Sequence, residues 1–190
     1  MSRRRALRIS GLAAGLAAVA IVLVGAVGAG GSPAESPTDR GGGPLEAVRN
    51  ATRRYRDVAE AVDAGYVQFF GCVHEPLAGS MGVHFVNGTL AGDAVIDRSK
   101  PEALTYEVGP DGELTLAGVE YVVFQEAWDG QHDEPPTLFG RPFVLVPEGN
   151  RYGIPAFYAL HAWAWASNPT GAYEDWNPAV LCPGAEGHVP

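Results

Sequence analysis

An α+β domain, with an N-terminal amphipathic helix packed on an antiparallel, hairpin-rich sheet and a loop-rich C-terminal tail, is what this sequence predicts from residue 44 onward. Three observations predict it. Apolar residues recur at three- and four-residue steps from Leu45 to Val62, and from Met81 the hydrophobic period becomes two. The chain also holds 25 glycines and 15 prolines in 190 residues, a density of turn formers that fits short strands and many loops.

Residues 1–34 are expected to be an export signal or a membrane anchor. Ser2-Arg3-Arg4-Arg5-Ala6-Leu7-Arg8 is followed by no charged residue until Glu35, and Gly11 to Gly31 is almost wholly Ala, Gly, Leu, Val and Ile. A basic segment ahead of an apolar one is the signature of a chain inserted by export machinery. Val27-Gly28-Ala29 offers small residues to a signal peptidase. Left uncleaved, the same run is long enough to span a bilayer. Either outcome places the domain outside the cytoplasm. The leader resembles the twin-arginine type, with Ala6 where that type has a large apolar residue. Residues 35–43, with Pro37 and Gly41-Gly42-Gly43, are expected to be a disordered linker.

Residues 44–190 are expected to form a single globular domain. Pro44 suits the first turn of its helix and Gly65 the end, because proline has no amide hydrogen to lose there and glycine tolerates a left-handed cap. Met81 to Asn87, Ala103 to Val108, Glu113 to Phe124 and Phe143 to Val146 read as strands, and Gly109-Pro110-Asp111-Gly112 as a hairpin turn. Tyr158 to Trp165 alternates large and small residues and is read as a further strand. Ser167 to Pro190 is read as turns and an irregular tail.

The formal charge of −9 includes four arginines of the leader, so the domain itself is more acidic still. Such a domain repels a phosphate backbone, and no basic stripe is present, which argues against nucleic acid as a partner. A membrane is met only through the N-terminal segment. Phosphate loops, dinucleotide fingerprints and nucleophile-elbow motifs are absent. The two cysteines, Cys72 and Cys182, are expected to form a disulfide, since an exported domain meets an oxidising compartment.

Chemistry is signalled by polar residues set inside apolar strands. Gly82-Val83-His84-Phe85-Val86 and Gly118-Val119-Glu120-Tyr121-Val122 share one layout, and His161 repeats the situation, sharing a strand face with Trp163 and Trp165. A carboxylate buried alone is costly, so Glu120 needs a cation, a histidine or a metal. His74, just ahead of the first of these strands, is expected to join them. Three imidazoles and a carboxylate suit Zn, Fe, Mn or Cu. The alternatives at this point are a buried hydrogen-bond network and four unrelated positions. The ligand types resemble the three-histidine, one-glutamate set of cupins, but no His-x-His pair is present and the cupin fold is not carried over. Glu75 or Asp175 would orient a second imidazole nitrogen.

A different function class rests on Tyr158, Trp163, Trp165, Tyr173 and Trp176, whose rings could form a platform for a small molecule or carbohydrate in a non-catalytic binding module. Finally, Met81-Gly82-Val83-His84-Phe85-Val86-Asn87, Gly118-Val119-Glu120-Tyr121 and Leu160-His161-Ala162-Trp163 with Asn168-Pro169 resemble a family of exported prokaryotic proteins of uncharacterised activity. The resemblance implies one exported domain from about Tyr55 to Cys182 and implies no reaction.

Overall fold

A computed structural model describes residues 43–183, so the expected leader, nearly all of the linker and the last seven residues lie outside the described part. Helix α1 (Pro44–Thr52) opens it, with proline in its first turn. The continuous helix expected to Val62 is interrupted: Arg53–Arg56 tightens into a 3-10 turn, Asp57 is extended, and α2 (Val58–Asp63) restarts behind it. Two contacts account for the break. The Asp57 carboxylate accepts from the Ala59 amide and caps α2, while the Tyr55 carbonyl, freed from the helix, accepts from the Tyr106 hydroxyl at 2.6 Å.

The strands follow as β1 (Val67–Gln68), β2 (Val73–Glu75) and β3 (Gly79–Val86). After the short helix α3 (Gly88–Ala91) come β4 (Ala103–Val108) and β5 (Leu114–Phe124). Helix α4 (Gln125–Asp129) leads to β6 (Thr137–Leu138), β7 (Arg141–Pro142), β8 (Val144–Val146) and β9 (Phe157–Ala162). Seven strands form one antiparallel sheet in the order β1-β3-β4-β5-β9-β8, with β2 also on β3. The strands β6 and β7 form a separate small ribbon. The turn after β4 is closed by Gly109 N–H to Glu113 O at 2.8 Å and Gly112 N–H to Gly109 O at 2.9 Å. The last strand ends at Ala162, three residues short of the expected Trp165, where the chain turns back so that Trp165 N–H and Ala166 N–H both donate to Ala117 O. Among the described residues no helix is long and apolar enough to cross a membrane.

The two faces of the sheet differ because side chains alternate along each strand. Val83, Phe85, Leu104, Tyr106, Val119, Tyr121 and their neighbours pack with Val48, Tyr55 and Ala61 of the N-terminal segments into the main core. The opposite face carries His84, Ala103, Thr105, Gly118, Glu120 and His161. Gly82 is needed where β3 meets β2: its φ is +88°, and a Cβ there would lie 2.5 Å from the Tyr106 carbonyl oxygen.

Glu102 enters the core side at 1 % exposure, its carboxylate accepting from the Val122 amide at 2.9 Å. Burial pushes this carboxyl up to about 8, against the opposing pull of the Val122 N–H. The folded state therefore holds a proton that the unfolded chain releases near 4.5. Stability from this group is fully present below that pH and is lost as pH rises through about 8, a total of about 5 kcal/mol. Glu102→Gln keeps an acceptor for Val122 and is expected to flatten that decline. Urea midpoints at pH 5 and pH 9 check it, and an unchanged slope in the variant would rule Glu102 out as its source.

Candidate metal centre

Strand register sets the positions of the site. His84 on β3 stands opposite Thr105 on β4, which stands opposite Gly118 on β5; one step along, Glu120 on β5 lies between Ala103 on β4 and His161 on β9. The strands that carry His84 and Glu120 are thus two spacings, about 9.5 Å, apart, and Glu120 lies two residues further along. The two residues meet because the strand between them presents only Ala103 and Thr105, so two long side chains lean over short ones. Gly118 completes this floor: a Cβ there would come within 3.0 Å of both the Thr105 hydroxyl and the Ala162 carbonyl.

Three side chains converge. His84 Nε2 is 3.5 Å from Glu120 Oε2, His161 Nδ1 is 3.7 Å from Glu120 Oε1, and one ligand atom from each residue lies within 4.8 Å of the other two. The rings of His84 and His161 meet edge to face with centroids 5.8 Å apart. Asp175 adds a second carboxylate, its Oδ1 3.5 Å from His161 Nδ1. Behind His161 the indole of Trp163 stacks at 5.9 Å, held by its Nε1–H donating to the Glu174 carbonyl.

These separations are too long for hydrogen bonds, which for nitrogen and oxygen run at about 2.7–3.2 Å. Both nitrogens of His84 and both of His161 are buried without a hydrogen-bond partner, and so is the Thr105 hydroxyl. A neutral imidazole has one donor and one acceptor, and each unpaired buried polar group costs about 1–3 kcal/mol. Burial pushes His84 down to about 3, helped by His161, while the Gly82 carbonyl opposes without closing a hydrogen bond. Burial likewise lifts the Glu120 carboxyl above its usual range, with His161 pulling the other way. At His161 burial favours the neutral ring, but Glu120 and Asp175 together outweigh it and hold the imidazole above its ordinary value. Two imidazoles and one carboxylate in this arrangement could hold a metal ion.

His74 does not join them. The β2–β3 pairing places it opposite Ser80, four residues before His84, or about 13 Å along the strand. Its Nδ1 lies 3.1 Å from the Ser80 hydroxyl, and it lines a different cavity with Pro76, Pro178 and Cys182. The expected swing onto the site is prevented because His74 is locked into a strand rather than carried on a free loop. Glu75 ends the same strand opposite Gly79, whereas Asp175 reaches the site from the C-terminal turns. Cys72 and Cys182 are joined by a disulfide.

The aromatic residues considered as a platform are drawn into packing. Trp163 and Tyr158 are buried, Trp165 donates its Nε1–H to the Thr52 hydroxyl, and Tyr173 and Trp176 are half-buried. A cavity of about 470 Å³ instead opens over the centre, with His84 and Glu120 in its wall and Val67, Phe69, Val122, Phe124, Tyr152 and Ile154 around them. No sequence pattern announced it, because its outer wall comes from the two-residue strand β1 and the loop before β9. No protein-family model matches the chain, nor does any curated protein or solved structure.

Proposed function

We propose that this domain binds one divalent transition-metal ion through His84, Glu120 and His161. A single observation carries the reading: two buried imidazoles, none of whose nitrogens has a hydrogen-bond partner, each bring one nitrogen to 3.5–3.7 Å from the largely buried Glu120 carboxylate. Ligands on a tetrahedral ion with bonds of about 2.0–2.1 Å stand about 3.3 Å apart. The two imidazole–carboxylate separations of 3.5 and 3.7 Å are near that spacing and longer than a good hydrogen bond, which supports a shared ion. An ion would accept a lone pair from each ring and offset the charge of Glu120, which lowers the cost of burying all three. Two histidines and a carboxylate take zinc in three-ligand centres with a free fourth position, and iron(II) in the facial arrangement of oxygenases. Manganese and copper remain within the same donor chemistry.

His84 and Glu120 face the cavity, whereas His161 lies behind them against Trp163. A free coordination position would accordingly open toward the cavity. Elemental analysis of protein purified without added chelator and dialysed against metal-free buffer is expected to find one transition-metal ion per chain. His84→Ala and His161→Ala are expected to lower that below about a tenth while the circular dichroism of the sheet persists, and His74→Ala is expected to leave it unchanged. Metal-free wild type that cannot be loaded with zinc, iron, manganese or copper would overturn the proposal.

A further inference from the structure

Resting on that metal reading, we infer that the cavity over the centre takes a small monoanionic molecule with an apolar body, a medium-chain carboxylate being the simplest member of the class, whose charged head meets the ion.

Charge and wall chemistry lead to the same ligand. A divalent ion held by Glu120 and two neutral imidazoles leaves one positive charge within the three-ligand group, where both histidines are no more than 4 % exposed; Asp175 lies outside that group, 37 % exposed, and solvent screens most of its charge. Uncompensated charge in such surroundings is expensive, and one negative ligand atom at the free position makes the assembly neutral. A neutral or cationic head does not. Beyond the centre the wall changes character. Apart from His84, Glu120 and Gln68, the side chains lining the cavity are apolar or aromatic, and no lysine or arginine is among them to receive a second charge. The anion must then be single and placed at one end, with hydrocarbon or an aromatic ring filling the rest. The volume of about 470 Å³ lies in the ordinary range for small-molecule sites. At the mouth Val67 and Phe69 are 67 % and 45 % exposed, so apolar surface continues out of the cavity and would be covered by a longer body.

The test uses the full-length protein loaded with cobalt(II), whose visible absorption reports its coordination, and three probes: octanoate, acetate and 1-octanol. Octanoate is expected to change the cobalt spectrum and to bind at least about a hundredfold tighter than acetate, since six further methylenes leave water. 1-Octanol, with the same tail and no charge, is expected to bind at least tenfold more weakly than octanoate and to leave the spectrum unaltered. Val86→Phe, which narrows the cavity without touching a ligand, is expected to weaken octanoate at least tenfold and to spare acetate. Equal affinity for octanoate and acetate, or for octanoate and octanol, would overturn the inference while cobalt uptake leaves the metal reading standing. These wild-type comparisons decide it even if the Phe variant fails to fold. Failure to take up cobalt would instead overturn the metal reading, and the inference with it.

Discussion

Zinc at a thousandfold excess over its dissociation constant is expected to raise the unfolding free energy of the metal-free protein by about 4 kcal/mol at pH 8, and Glu120→Gln is expected to abolish that response. The same substitution should act in the opposite sense without metal. The folded-state carboxyl of Glu120 is held above its usual value chiefly by burial. A raised acid binds its proton in the folded state and releases it on unfolding. Its contribution to stability is therefore present below about 4.5 and lost as pH rises through the folded value. Glutamine carries no proton to lose, so metal-free Glu120→Gln should be at least as stable as metal-free wild type at pH 8. His84 has the contrary sign, because a histidine pushed down to about 3 costs the fold stability as pH falls below about 6.5. His84 by itself should thus cost the metal-free protein stability on acidification, opposed by Glu102, Glu120 and His161, whose raised values add stability there, and zinc affinity should fall over the same range as protons compete for the imidazoles. Thermal or urea unfolding with and without zinc, across pH 5 to 8, reads all of this. A hydrogen-bond network without metal predicts a loss on Glu120→Gln under every condition and no zinc response, which would end the metal account.

His84, Glu120 and His161 could be read from sequence because each interrupts an apolar alternation, and an interruption of that kind survives into the sheet whichever strands pair. Their convergence depended on two things the pattern does not state: that β4 lies between β3 and β5, and that its residues there are Ala103 and Thr105. His74 stands apart from them for the same reason, since only the β2–β3 register fixes how far along the strand it lies. The helix break at Arg53–Asp57 illustrates a tertiary override. Its residues keep the helical period, yet the Tyr106 hydroxyl takes the Tyr55 carbonyl and Asp57 caps a new helix. The Tyr106 contact, 51 residues away, leaves no local signature in the segment it breaks. The hairpin after β4 was the most legible element, because Gly109-Pro110-Asp111-Gly112 sits between two alternating runs and needs no distant partner.

Breaking the disulfide is expected to cost more stability than any single side-chain change in the sheet, while leaving the metal centre loaded. The bond joins Cys72, just ahead of β2, to Cys182, 110 residues later, with Cα atoms 5.7 Å apart. In the chain-entropy description, closing a loop of that length restricts the unfolded chain by about 4–5 kcal/mol. Against a typical domain stability of about 5–15 kcal/mol, the reduced protein becomes marginal at physiological temperature. Because the bond acts mainly on the unfolded state, the Cys72→Ser/Cys182→Ser double variant should unfold at lower urea and with a steeper denaturant dependence, since its unfolded chain expands further. The structural consequence is local. The segment before Cys182 carries Asp175 beside His161 and the Glu174 carbonyl that holds Trp163, and it is also fixed to β3 by paired backbone bonds of 3.0 Å between Asn177 and Ser80. The three proposed ligands lie on β3, β5 and β9, none of which contains a cysteine. One metal ion per chain should therefore remain in the double variant under native conditions. Equal urea midpoints for the oxidised protein and the variant would show that the crosslink adds nothing, and metal lost before unfolding would show that the centre depends on the C-terminal segment rather than on the sheet.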